Sequence, residues 1–112
     1  IQVLATEHRF EKWSNIPKER DKLLTLLETL DSRVIVISGD RHRAGLYQYN
    51  EITEITASSL NRPTYSEETD SLLLGKTYTE NNFGLLSIEK DNVEISVINV
   101  DNQILESLIL EI

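Results

Sequence analysis

Val34-Ile35-Val36-Ile37-Ser38-Gly39-Asp40-Arg41-His42-Arg43 is the stretch on which the reading of this chain turns. Four β-branched residues in a row suit a strand buried on both faces, as in the middle of a layered α/β structure. Ser38-Gly39-Asp40 stops the run abruptly. Just upstream, Pro17 fits a first helical turn, Asn15 can cap it, and Glu19 and Asp21 suit the positive end of a helix dipole. Leu23, Leu26, Leu27 and Leu30 follow at helical spacing. A helix is therefore expected from Pro17 to Leu30, with that leucine stripe packed into the core. A helix leading into a buried strand is half of an α/β unit, and in such sheets ligands bind beyond the carboxyl ends of strands. Asp40 to Gly45 thus stands where chemistry is usually placed.

Working outward, Leu46 to Tyr49 and Ile52 to Ala57 read as further strands. Asn61 to Leu74 is rich in Ser, Thr, Asn, Glu and Asp and reads as a long surface loop. Phe83 to Lys90, Val93 to Val100 and Ile104 to Ile112 are three strand-like runs. Asp91-Asn92 and Asp101-Asn102 separate them, residue types that tolerate tight turns. An antiparallel three-strand meander is expected there. The expected fold class is α+β or α/β: one N-terminal helix, a buried strand, then mostly antiparallel strands ending in the meander. Residues 1–112 form a single domain in this reading.

Composition narrows the function classes. The 112 residues suffice for one domain with a modest core. Hydrophobic residues at 39% and charged residues at 27% match a globular chain rather than a disordered one. Eleven basic against 19 acidic residues give a net charge of −8, which opposes binding to nucleic-acid backbones or anionic membranes. Without cysteine there is no disulfide, thiolate metal site or cysteine nucleophile. No apolar run approaches the ~18 residues that span a bilayer. No signal peptide is read. The chain begins at Ile1 and contains no methionine, so it is expected to be a piece of a longer protein.

Chemistry concentrates at Asp40 and His42. A carboxylate oxygen and an imidazole nitrogen two residues apart in an extended segment point to the same side. Mixed oxygen and nitrogen donors suit zinc, manganese or iron better than magnesium alone. Gly39 allows a sharp turn beside the pair. Arg41 and Arg43 alternate with it and are expected to point away, although guanidinium groups can also hold a substrate phosphate. A competing reading makes Asp40 a turn cap, His42 a solvated side chain and the arginines ion-paired, since Asp-x-His is a short motif. A metal site needs three or four protein ligands. The chain has only His8 and His42, so a site here is either incomplete or absent. His8, lacking a partner, reads as a surface residue, and Trp13 as packed against the helix. A serine hydrolase is rejected, because Ser58 and Ser59 have no free base.

Ser38-Gly39-Asp40-Arg41-His42 resembles the Ser-Gly-Asp-x-His block of PhoD-like alkaline phosphatases, within the calcineurin-like metallophosphoesterase superfamily. Phe10 to Arg20 resembles the family's Trp-x-x-x-Pro-x-x-Arg segment. Glu54 to Leu60 is similar to its strand after the metal loop, and Asn82-Phe83-Gly84 to the entry of its late strands. The resemblance spans nearly the whole chain. It implies the C-terminal half of a metallophosphoesterase-like sandwich, with Asp40 and His42 as metal ligands and the earlier ligand blocks upstream. It further implies a hydrolase of phosphate esters that uses two metal ions, divalent or trivalent (zinc, manganese, iron or calcium). The piece alone is expected to be inactive and to bind metal weakly or not at all. Export from the cell follows from the resemblance only. The alternative is a non-catalytic binding or accessory domain on the same scaffold. Strand edges left uncovered are expected to favour pairing with another copy.

Overall fold

A computed structural model describes residues 1–112. The order of elements is a 3-10 turn (Trp13–Asn15), α1 (Pro17–Glu28), β1 (Val34–Ser38), β2 (Ala44–Tyr49), β3 (Ile52–Ala57), β4 (Leu73–Tyr78), β5 (Asn82–Ile88), β6 (Asn92–Asn99) and β7 (Ile104–Glu111). The fold is α+β. One sheet has the order β1-β3-β2-β4, with β1 parallel to β3 and the other pairs antiparallel. The second is the meander β5-β6-β7.

Three layers result. Ala44, Leu46 and Ile55 face Val93, Ile95, Val97 and Leu110 to form the core between the sheets. On the other face of the first sheet, Tyr47 and Ile52 pack with Leu24 of α1 and with Val3, Leu4 and Ala5 of the N-terminal segment. The period of two along each strand makes this work: Leu46 faces one layer and Tyr47 the other. The sheets approach closely at Gly84, where a Cβ would stand 2.8 Å from Ile55 Cδ1 and 3.3 Å from Ala57 Cβ.

Several expectations shift. The helix stops at Glu28, and Asn15 does not cap it. Its side chain donates to the Phe10 carbonyl (3.1 Å) and accepts from Lys12 Nζ (2.7 Å). The packed face of α1 runs through Leu23, Leu24 and Leu27, whereas Leu26 and Leu30 are exposed. The leucine stripe was thus offset by a fraction of a turn from the true core face, which is centred on Leu24. β1 is an edge strand. Val34 and Val36 pack toward α1, but Ile37 is 70% exposed. The cause is the width of the second sheet. Its edge strand β5 lies over β3, so cover from that side reaches Ile35, which packs on the inter-sheet core, but not Ile37. β4 was not anticipated, because Gly75-Lys76-Thr77 breaks the alternation that marks a strand.

Charged side chains tie the N-terminal segment down. Glu54 is fully buried, and its carboxylate accepts the N–H groups of Val3 (3.0 Å) and Leu4 (2.6 Å). Arg20 donates to the carbonyls of the same two residues at 2.8 and 2.9 Å. The peptide unit joining Val3 to Leu4 is therefore polarised from both ends, which offsets the cost of burying a carboxylate. Asp70 does similar work further along, accepting from the N–H groups of Thr6 (2.7 Å) and Glu7 (3.0 Å).

Candidate functional site

The connection between β1 and β2 is short for what it spans. β1 and β2 flank β3 on opposite sides, so residues 39–43 must cross the carboxyl end of β3, two inter-strand spacings or about 9.5 Å. The crossing passes close over Ser58, whose N–H and hydroxyl both donate to the Arg43 carbonyl at 3.2 Å. Asp40 (φ 74°) and His42 (φ 52°) enter the left-handed region to make the turn. Asp and His are among the side chains that tolerate it, at a cost of about 1–3 kcal/mol each that the surroundings must offset.

The offset comes from the alternate residues. Arg41 and Arg43 are 7% and 6% exposed. Both reach Glu68: Arg41 Nη2 forms a close charged contact with Oε1, and Arg43 Nη2 lies 3.6 Å from the same oxygen. Arg43 also donates to the Ser66 carbonyl. Glu68 is held in turn by its own N–H, which donates to the buried Thr77 hydroxyl of β4 (2.9 Å). Burial pulls the Arg43 guanidinium below its ordinary pKa, and the Glu68 charge opposes that pull. The stretch from Asn61 to Leu74, read from composition as a surface loop, thus folds back to supply the counter-charge for the crossing, and its last two residues, Leu73 and Leu74, already belong to β4.

With the arginines anchored beneath, Asp40 and His42 are both exposed and line one depression of about 320 Å³, together with Phe10, Glu11 and Thr64. None of the ion pairs in the chain involves either residue. The structure brings the sequence-identified pair to one surface, beyond the carboxyl ends of β1 and β3. It also places Arg41 and Arg43 on the rim of that depression with their guanidinium groups turned to Glu68. The donor types at Asp40 and His42 suit a transition metal. The number of donors does not suffice: nowhere does the chain gather three or more His, Cys, Asp or Glu side chains able to hold an ion. The largest hollow, about 710 Å³, lies at the other end of β1 between Leu27, Arg33 and Ile112, away from this chemistry.

His8 and Phe10 went unrecognised as part of this site. Gln2 Nε2 donates to Thr56 Oγ1 (2.9 Å), so Gln2 Oε1 is left to accept. His8 Nε2 donates there (3.0 Å), and His8 Nδ1 accepts the Phe10 N–H (3.2 Å). Ser38 at the end of β1 shares the Thr56 hydroxyl (2.8 Å). A hydrogen-bonded chain therefore runs from the end of β1 through buried Gln2 to Phe10. Burial, and then the positive charge of Arg41, push the His8 pKa down. The geometry agrees, because a proton on Nδ1 would oppose the Phe10 N–H. His8 is half-buried rather than a plain surface residue.

No family model matches this chain, and no curated protein matches it. Solved structures do share its fold. The chain superposes over 99% of its length on GAP50, the anchor in the inner membrane complex of Plasmodium, with a TM-score of 0.79 and 16% identity. It superposes over 88% of its length on a conserved uncharacterized protein of Streptococcus pneumoniae described as a predicted phosphoesterase, with a TM-score of 0.55 and 12% identity. It spans 34% of the first neighbour and 49% of the second. The two neighbours carry different descriptions on one fold, so the fold is shared and the function has to be argued from the site.

Proposed function

We propose that this chain is the later part of a metal-dependent phosphoric ester hydrolase of PhoD-like type, and that it contributes the Asp40-x-His42 metal-binding loop. One observation carries the reading. The crossing loop is held in a strained form by buried Arg41 and Arg43, and the only groups it presents outward are a carboxylate and an imidazole. Strain of this kind persists where the surroundings over-determine it, and it clusters at ligand sites. The position beyond the strand ends and the phosphoesterase-like fold of the Streptococcus pneumoniae neighbour support the same reading.

Asp40 and His42 would hold the metal from this side, and the remaining ligands would come from polypeptide outside residues 1–112. The bound metal would supply Lewis-acid polarisation of a phosphoryl oxygen. What these residues themselves do is present one oxygen and one nitrogen donor on a fixed backbone. Arg41 and Arg43 position that backbone and carry positive charge to its rim, where a phosphate ester would approach. The test is made in the full-length protein. His42→Ala should lower phosphate-ester hydrolysis by at least about a hundred-fold, as second-sphere losses alone reach 10–100-fold, with a melting temperature lowered by only the few degrees that an alanine costs in the left-handed region. Unaltered turnover in that variant would remove the assignment.

A second reading has its own support. The fold also serves an anchoring protein, and this chain gathers only two donors at the loop. In that reading the domain is a non-catalytic accessory module, and the full-length protein lacks the other ligands. Its sequence would show no further His and Asp blocks upstream.

A further inference from the structure

Phe10 is an exposed aromatic ring on an unusually well-fixed backbone. Its N–H donates to His8 Nδ1 (3.2 Å) and its carbonyl accepts from Asn15 Nδ2 (3.1 Å). The flanking bridge between Gln2 and Lys12 holds the base of the same loop. The residue is 45% exposed. The Arg41 guanidinium stands 4.7 Å from its centroid and the Arg9 guanidinium 5.2 Å. These two cations differ. Arg41 is locked by Glu68, whereas Arg9 is exposed and takes part in no ion pair, so it is free to move aside for a ligand or to stack on one.

Phe10 also forms a partition. On one side is the depression that carries Asp40 and His42. On the other is a hollow of about 650 Å³ bounded by His8, Arg9, Ser66, Glu67 and Thr69. The two share Phe10, Arg43 and Thr64. A phosphate ester with its phosphorus at Asp40 and His42 must send its organic group somewhere, and this hollow is the adjoining space. Its size falls within the range for small-molecule sites. Its lining decides what it takes. Phe10 is its single apolar side chain, and the rest are hydroxyls, carboxylates, guanidinium groups and the His8 imidazole. A lipid tail or aliphatic alcohol would strand those polar groups without partners. A flat, hydrogen-bonding ring would satisfy both parts.

We infer that this hollow is a leaving-group subsite in which a nucleobase-like ring stacks on Phe10, so that the phosphate ester handled at Asp40 and His42 is a nucleotide. This rests on the proposed phosphoesterase role of the loop. It concerns a single nucleotide and is compatible with a net charge that opposes polyanionic strands.

The experiment titrates the 112-residue chain with adenosine, adenosine 5′-monophosphate and ribose 5-phosphate while amide shifts are followed by NMR. Adenosine and its monophosphate should both move the amides of Phe10, Thr64 and Ser66, and ribose 5-phosphate should not. Base–aromatic stacking predicts that Phe10→Leu weakens adenosine by roughly five- to ten-fold, while Phe10→Trp preserves it. Equal shifts with ribose 5-phosphate, no shift with adenosine, or wild-type affinity in Phe10→Leu would each overturn the subsite. The metal reading is scored separately. In the full-length protein with manganese present, the monophosphate should bind more tightly than adenosine, and His42→Ala should erase that difference without changing adenosine itself. Phe10-dependent adenosine binding with no gain from the phosphate would leave the subsite standing and remove the phosphoester role.

Discussion

The carboxylate of Glu68 meets the guanidinium of Arg41 on the buried side of the loop whose outer side carries Asp40 and His42. This pairing explains how a five-residue crossing keeps two residues in the left-handed region. It also makes Glu68, far from the loop in sequence, its main support. Glu68→Ala leaves two buried guanidinium groups without their counter-charge. The expected loss is about 3 kcal/mol, the lower end for breaking a buried pair because Glu68 keeps some contact with water. Urea unfolding measures it, and hydrogen exchange should show residues 39–43 losing protection first. A loss of only a few tenths of a kcal/mol would mean that the pair is no more than a solvated contact.

Glu54 and Val3 provide an independent test of the packing. Glu54→Ala would strand the N–H groups of Val3 and Leu4 in the core beneath α1. Unsatisfied buried donors cost about 1–3 kcal/mol each. The variant should lose on the order of 3 kcal/mol, and the amides of residues 3 and 4 should exchange rapidly. Retained protection there would show that the segment is held by its apolar contacts alone.

His8 sets a pH dependence whose sign follows from its lowered pKa. The folded chain resists a proton that the unfolded chain accepts at the ordinary value of 6.5. Stability from this group is present above that pH and is lost as pH falls below it. Urea midpoints taken between about pH 7.5 and pH 5 should decline in the wild type. They should decline less in His8→Gln, which cannot titrate. Identical slopes in the two proteins would exclude His8 as the source.

Tyr78 acts at the opposite extreme. Its hydroxyl donates to Glu106 Oε2 (2.7 Å), and its pKa is pushed up to about 12, by burial first and then by that bond and the carboxylate charge. The unfolded value is 10.0, so the folded chain keeps a proton that the unfolded chain loses. Stability should therefore fall as pH rises from 10 toward 12. Burial also raises the Tyr47 phenol, so ultraviolet titration of tyrosinate should show two late-titrating tyrosines, of which Tyr78→Phe removes one. If that variant leaves the titration curve unchanged, the bond to Glu106 does not hold the proton.

Gly75 sits beside the same carboxylate. Its φ of 67° suits glycine, and an added Cβ would lie 2.7 Å from Glu106 Oε2. Gly75→Ala combines left-handed strain of about 1–2 kcal/mol with that collision. A melting temperature lowered by several degrees is expected. Measured against Glu106→Gly alone, which has already lost the Tyr78 bond, Gly75→Ala should cost only the backbone strain.

What the sequence made legible follows from which interactions are local. Residues 34–37, the runs that form β2 and β3, and the turns at 91–92 and 101–102 announce themselves by periodicity and turn chemistry. The elements drawn from them were found in place. The Asp40-x-His42 loop was legible as a motif at a strand end, and the two side chains do share a surface. What could not be read depends on distant partners. Val3, Leu4 and Ala5 enter the core without any periodicity, because Glu54 and Arg20 bond their backbone. Arg41 and Arg43 take their role from Glu68, inside a stretch that composition marks as loop. β1 carries the pattern of a strand covered on both faces, yet the second sheet within residues 1–112 ends before reaching Ile37. His8 joins the site through the buried Gln2 side chain, and Phe10 through His8 and the Arg41 guanidinium, partners that lie far away in sequence.

The central claim is that Asp40 and His42 act together as one half of a metal site. Titrating manganese into the 112-residue chain and following paramagnetic broadening of the amide spectrum tests it most directly. The account predicts selective broadening at residues 40 and 42 at low manganese, lost in His42→Ala while the rest of the spectrum is unchanged. Broadening centred on other acidic side chains, or equal in wild type and His42→Ala, would contradict it.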